Sequence, residues 1–214
     1  MKAKKSKEPR QRILDAAISL FAQKGYAGVG VREIAKAADV NIAMISYYFE
    51  GKVGILKVIL NEFHDQYYQV IKNIDIESSP PEECVRMIVH NMVDLIKENT
   101  ERAMVSFNAL PLDIPEIADI KAKRVSELIK AISGLANRYG LDPNDAVLIS
   151  IIGPFLISTI LAHFRFKPVQ EHIFRIKFND AFYERYKETI ATLFLYGITG
   201  TAAQKQKQKK RKKQ

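Results

Sequence analysis

Apolar residues recur at helical spacing along nearly the whole chain, and nowhere do they alternate at period two over several residues. That pattern argues against a sheet-built core and leaves an all-α fold. Pro9 to Lys24 places Ile13, Ala16, Ala17, Leu20 and Phe21 on one stripe, with Gly25 as a stop just beyond it. The stretch "GVREIAKAADV" opens on Gly30, an acceptable N-cap, with Glu33 where a capping box would put it. Its inner face, Ile34, Ala35 and Ala38, is small enough for close helix approach. Asn41 is the expected N-cap of the next short helix, and a longer one follows from about Lys52 to Lys72. The prolines of "DIESSPPEE" end that helix.

Further on, Val85, Ile88, Val89, Met92 and Ile96 make a one-sided helix, and "NALPLDIPE" breaks the pattern. A stripe from Val125 to Tyr139 ends at Gly140, after which Asp142 and Pro143 are the expected cap and first helical residue. Phe182, Tyr186, Ile190, Leu193, Phe194 and Gly197 stripe a last helix. The expected organisation is a basic disordered arm over residues 1–8, a first helical domain over 9–54, a larger one over 55–200 and a basic disordered tail over 201–214.

One segment is apolar on all sides. Val147 to Phe164 runs for eighteen residues without an acid, lysine or arginine, the lower limit for a membrane span. Pro154, the hydroxyls of Ser150, Ser158 and Thr159, and the lack of a second such segment favour a helix buried between a core and a partner subunit. With the last helix it is expected to form a four-helix bundle between two copies, making a homodimer with no membrane association.

The formal net charge is +9, and its distribution is uneven. The tail "KQKQKKRKKQ" carries +7 and the first ten residues +4, so everything between them is slightly acidic, at −2. Basic arms of this kind meet polyanions, of which nucleic acid is the commonest soluble one. The single cysteine, Cys84, cannot pair within the chain, and the polar start "MKAKKSKEPRQR" has no signal-peptide core. A cytoplasmic location is expected.

The function is carried by residues 30 to 52. A short small-residue helix, a tight turn and a second short helix make a helix-turn-helix, whose second member enters the DNA major groove. In "NIAMISYYFEGK", Ile45 and Phe49 fall on the core side, while Ala43, Met44, Tyr47 and Tyr48 fall on the others. Ile42 sits between the two. Outward tyrosine hydroxyls suit phosphate oxygens, and Ala43 and Met44 suit base edges.

Residues Arg12 to about Leu60, "RILDAAISLFAQKGYAGVGVREIAKAADVNIAMISYYFEGKVGIL" within them, resemble the DNA-binding domain of the tetracycline-repressor (TetR) family of bacterial transcription regulators. The resemblance implies a three-helix N-terminal DNA-binding domain and a larger helical domain that dimerises and holds an effector. Position by position, it implies that Asn41, Ile42, Ala43, Met44 and Ser46 approach bases and that Tyr47, Tyr48 and Lys52 meet phosphates. Arg32 matches a position from which guanine is read, for which a guanidinium is suited. Gly30 departs from the usual hydroxyl residue at that helix start, and Ser46 stands where tyrosine is frequent.

The expected partner is a palindromic double-stranded operator, and a small, largely apolar effector is expected to release it. Met104, Phe107, Ile151, Phe155 and Ile157 are the expected effector lining. The alternative is a DNA-organising factor built on the same dimer without an inducer. No cofactor is implied. The glycines Gly25, Gly28 and Gly30 lack phosphate-loop spacing, His90 and Asp94 share a polar face without further metal ligands, and no nucleophile has a base beside it, so an enzyme is not expected.

Overall fold

The computed structural model describes residues 8–108 and 110–211; the side chains of residue 108 and of 198–211 lie outside that description. The described residues are helical, without a strand: α1 Pro9–Lys24, α2 Val31–Ala37, α3 Ala43–Phe49, α4 Lys52–Lys72, α5 Pro81–Glu98, α6 Thr100–Asn108, α7 Pro115–Arg138, α8 Ala146–Phe174 and α9 Asp180–Arg211.

Packing divides the chain within two helices. One compact unit runs to Gln66 and takes in Asn99–Glu127; the other comprises Tyr67–Glu98 and the chain from Leu128 onward. In the first unit α1 packs on α2, α3 and α6. Its core joins Ile13, Leu14, Ala17 and Phe21 of α1 to Ile34, Ile45, Phe49, Ile55 and Leu56, and also to Val105 of α6 and Ile117 of α7. Helices α6 and α7 therefore supply part of the apolar surface on which the first three helices rest, beyond the expected boundary at residue 54. An ion pair and a hydrogen bond continue the contact at its edge: Arg102 meets Glu62 at 3.0 Å, and Arg124 donates to Asn61 at 2.8 Å.

In the second unit α5 turns a buried stripe, Cys84, Val85, Ile88, Val89, Met92, Val93 and Ile96, toward α8 and α9. Beside it, Lys187 is held by Asp94 at 2.8 Å and by Glu184 at 2.9 Å. His90, grouped with Asp94 in the sequence, faces Glu188 at 3.2 Å instead. His163 of α8 is 5% exposed. Phe164, Phe178, Phe182, Tyr183 and Tyr186 surround its ring, and Gln170 Oε1 lies 2.9 Å from its Nδ1. Burial pushes this imidazole below its ordinary value; Gln170 opposes that shift and Lys167 adds to it.

The break expected at "NALPLDIPE" is present, with α6 ending at Asn108 and Pro115 beginning α7, where the first turn needs no N–H. Other helix ends differ from expectation. Asp145, not Asp142, caps α8: its Oδ1 accepts from Val147 N at 2.9 Å and Leu148 N at 3.2 Å. Asp142 serves the turn before it, accepting from Asn144 N at 2.8 Å. Helix α8 then carries Pro154 and Pro168 inside its length. At the far end α9 is interrupted at Gly197, φ +66°, but is helical again to Arg211, where a disordered tail from 201 was expected. The rest of that tail, residues 212–214, and the arm over residues 1–7 lie outside the described residues.

Candidate nucleic-acid interface

Helix α3 is seven residues long, too short to persist alone, so its position depends on its ends and its buried side. Ile45 and Phe49, four residues apart, anchor that side in the core, as the periodicity requires. At the start, Ile42 rather than Asn41 holds the N-cap position, and Asn41, one residue earlier, supplies the capping bond: its Oδ1 accepts from Ala43 N at 2.9 Å. At the end, Glu50 adopts φ +60° and Gly51 φ +105°, and this pair of left-handed residues reverses the chain into α4. Glu50 N closes the last turn on Ser46 O at 3.0 Å.

With those points fixed, Asn41, Ile42, Ala43, Ser46 and Tyr47 lie exposed, and Arg32 is exposed at the start of α2. Tyr47 is 80% exposed, unusual for a ring of that size in a folded chain. Ile42, which periodicity left ambiguous, is on the outside, 43% exposed. Met44 and Tyr48 depart from the outward placement expected of them: both are partly buried and pack against the core. The adjacent tyrosines thus diverge. Tyr48 lies edge-on to Tyr47, with ring centroids 4.9 Å apart, and supports it from behind.

Lys52 is also placed differently from a free phosphate contact. Its Nζ donates to Val29 O at 2.7 Å and lies 4.0 Å from the Tyr26 ring centroid, and burial lowers its pKa. Glu33 makes no capping box here; its carboxylate pairs with Lys24. Arg12, which no sequence pattern singles out, reaches from α1 to the turn before α3. Its Nη1 donates to Asp39 O at 3.1 Å and lies 3.5 Å from the Asp39 carboxylate. A left-handed Asp39, φ +52°, brings that carbonyl within reach.

The expected effector residues are divided between the two units. Met104 and Phe107 are half-buried in the first unit, where the Phe107 ring meets Phe63 edge-on at 5.9 Å. Ile151, Phe155 and Ile157 belong to the second unit. Ile157 is buried there, whereas Ile151 is 56% and Phe155 53% exposed, so these two do not line an interior of this chain.

An all-α chain with a capped, core-anchored second helix presenting an exposed face is a helix-turn-helix protein. Residues 13–59 match the family model described as bacterial regulatory proteins, tetR family. A Bacillus subtilis (strain 168) protein described as "Probable HTH-type transcriptional regulator YttP" is 31% identical over 128 residues, covering 56% of this chain and 62% of that protein. YuxN, an HTH-type transcriptional regulator of the same organism, is 30% identical over 172 residues, covering 77% of this chain and 59% of YuxN. This chain therefore spans about three fifths of each relative. The fold is that of FadR from Bacillus subtilis in complex with stearoyl-CoA, with a TM-score of 0.63 at 20% identity over 88% of this chain and 98% of that one. Residues 13–59 thus carry a DNA-binding domain of the tetR-family type, and the relatives matched over a longer stretch are themselves HTH-type transcriptional regulators.

Proposed function

We propose that this chain is a homodimeric, sequence-specific DNA-binding transcriptional regulator of the bacterial cytoplasm, a repressor that a small, largely apolar effector releases from a palindromic operator. The observation that carries the reading is α3 itself: Ile45 and Phe49 bury one side, and Ile42, Ala43, Ser46 and Tyr47 stand exposed on the other. Such a face suits the major groove, with Asn41, Ile42, Ala43 and Ser46 toward bases, Tyr47 toward phosphates and Arg32 of α2 toward guanine, while Met44 and Tyr48, half-buried against the core, back the face.

The homodimer reading is supported by α8. Only 33% of its most apolar window is buried within this chain, and Val147, Ile151 and Phe155 form an exposed i, i+4, i+8 row. A second copy would cover that row. By length and composition α8 could also cross a membrane, but the helix-turn-helix domain favours the subunit interface. Two α3 helices must then meet half-sites roughly 34 to 36 Å apart or a multiple of that, so an effector that alters the spacing weakens binding. Helix α4 is the proposed lever, since it continues from the unit that carries α3 into the other one. The stearoyl-CoA bound by the FadR neighbour supports an apolar effector here.

The test is selection of bound fragments from the source genome by the full chain, followed by titration of the winners with and without long-chain acyl-CoA. Selective retention of a palindrome, weakened by the acyl-CoA, supports the reading. Selective retention that no apolar ligand changes favours the DNA-organising alternative, and retention without preference contradicts sequence-specific regulation.

A further inference from the structure

Two cations of the first unit donate to main-chain carbonyls of the same unit, Arg12 at the turn before α3 and Lys52 just after its C-terminal end. We propose that Lys52 and Arg12 are positioning residues: they set the pose of α3 for sequence reading and do not themselves neutralise phosphates. The inference rests on the DNA-binding reading above.

At the C-terminal end of α3 the chain turns through Glu50 and Gly51 into α4, and Lys52 is the first residue of α4. From there its side chain crosses to the segment between α1 and α2, with Nζ at 2.7 Å from Val29 O and at 4.0 Å from the Tyr26 centroid. Neither partner is free to follow the lysine outward. Val29 is a core residue, 2% exposed, and the Tyr26 ring packs at 5.4 Å from Phe21, which is fully buried. The carbonyl of Val29 belongs to a loop rather than a helix, so the ammonium satisfies an acceptor that secondary structure leaves open. Drawing Lys52 out to a phosphate would strip that acceptor and the ring together.

At the N-terminal end the arrangement repeats with different chemistry. Arg12 approaches the α2–α3 turn from α1 and donates to the main-chain oxygen of Asp39 at 3.1 Å. Its Nε is buried without a hydrogen-bond partner among the described residues, so the guanidinium is drawn in along its stem, with only its tip in use. Asp39 holds a left-handed conformation, so the carbonyl that Arg12 grips lies at the hinge point of the turn. One cation fixes where α3 begins and the other fixes where it leaves.

Positioning and phosphate contact make opposite predictions for salt. A phosphate contact releases counterions, and its loss flattens the plot of log affinity against log salt by about 0.9 per contact, hence by about two for a substitution present in both copies of a dimer. A positioning residue carries none of that slope. The test uses the full chain, its selected operator and a random duplex of equal length, with Lys52→Met, Lys52→Gln, Arg12→Gln and Arg12→Lys titrated over a range of sodium chloride. Circular dichroism melts confirm that each variant is folded at the temperature used.

For Lys52→Met and Arg12→Gln the expected result is operator affinity about tenfold lower or more, random-duplex affinity unchanged and the same salt slope. A slope flatter by about two, with both affinities falling together, overturns the proposal, and so does unchanged operator affinity. A second measurement on the unaltered protein needs no variant to fold: reductive methylation of Lys52 read by mass spectrometry. A rate of modification unaltered by operator is expected; modification that operator blocks overturns the proposal. If the unaltered protein selects no DNA, the DNA-binding reading itself fails, whereas operator binding with a flattened salt slope in Lys52→Met sinks this proposal alone.

Discussion

The carbonyl oxygen of Phe49 occupies the space beside Gly54: a β-carbon on residue 54 would meet it at 1.5 Å. The end of α3 and the first turn of α4 are thus in direct backbone contact, and the angle between recognition helix and lever helix is fixed by the absence of a side chain. Glycine in a helix costs about 1 kcal/mol relative to alanine, so nothing local to α4 favours it there. Gly54→Ala is expected to destabilise the folded chain by about 1–3 kcal/mol, the usual range for overpacking, and to weaken operator binding more than stability alone explains. Urea denaturation and operator titration at the same temperature measure both.

Asn41 combines a cap with an exposed position on the proposed DNA face. Because its Oδ1 accepts from Ala43 N, Asn41→Ala is expected to cost about 1 kcal/mol, and Asn41→Asp, which keeps the acceptor, close to nothing. Operator binding should respond differently. On the proposed DNA face the added carboxylate would meet the negative potential of the duplex, so the Asp variant is expected to be folded like the parent yet to bind DNA poorly. Equal binding by the Asp variant and the parent would remove Asn41 from the DNA contact.

Stability should fall below neutral pH. His163 titrates below its ordinary value when folded, through burial first, and near 6.5 when unfolded. The neutral ring's contribution is fully present above pH 6.5. It is lost as pH falls through the unfolded value toward the depressed folded one, because only the unfolded chain takes up the proton. Urea midpoints measured from pH 7.5 to 5.5 should decline, and His163→Phe should flatten the decline. Part of the dependence will survive that substitution, since burial depresses His64 in the same direction. A profile as steep in the variant as in the parent would exclude His163 as a source.

Base reading and backbone holding should separate by substitution. Tyr47→Ala removes an exposed hydroxyl and should weaken binding to every sequence alike, whereas Arg32→Ala should relax preference at one base pair by about 1–3 kcal/mol. Competition between operator variants distinguishes the two outcomes. Loss of the same preference in both variants would contradict the assigned roles.

Periodicity made much of this molecule readable, because an amphipathic helix must repeat its buried residues at fixed spacing. Ile13, Ala17 and Phe21, and again Ile45 and Phe49, are in the core where the pattern places them. Other features depend on contacts between residues distant in sequence, which spacing does not encode. Met44 and Tyr48 lie off the apolar stripe yet find core neighbours, and Ile151 and Phe155 lie on an all-apolar helix that does not distinguish interior from interface. Lys52 and Arg12 read as ordinary surface cations until Val29 and Asp39 are seen to accept from them. The break between α5 and α6 at Asn99 carries no glycine or proline to mark it.

Hydroxyl-radical footprinting of the full chain on a selected genomic fragment shows whether two copies present their α3 helices to one duplex. Two protected patches related by the symmetry of the palindrome are expected, centred one helical turn of DNA or a multiple apart and both lost with Tyr47→Ala. One asymmetric patch, or even protection that ignores sequence, would contradict that arrangement.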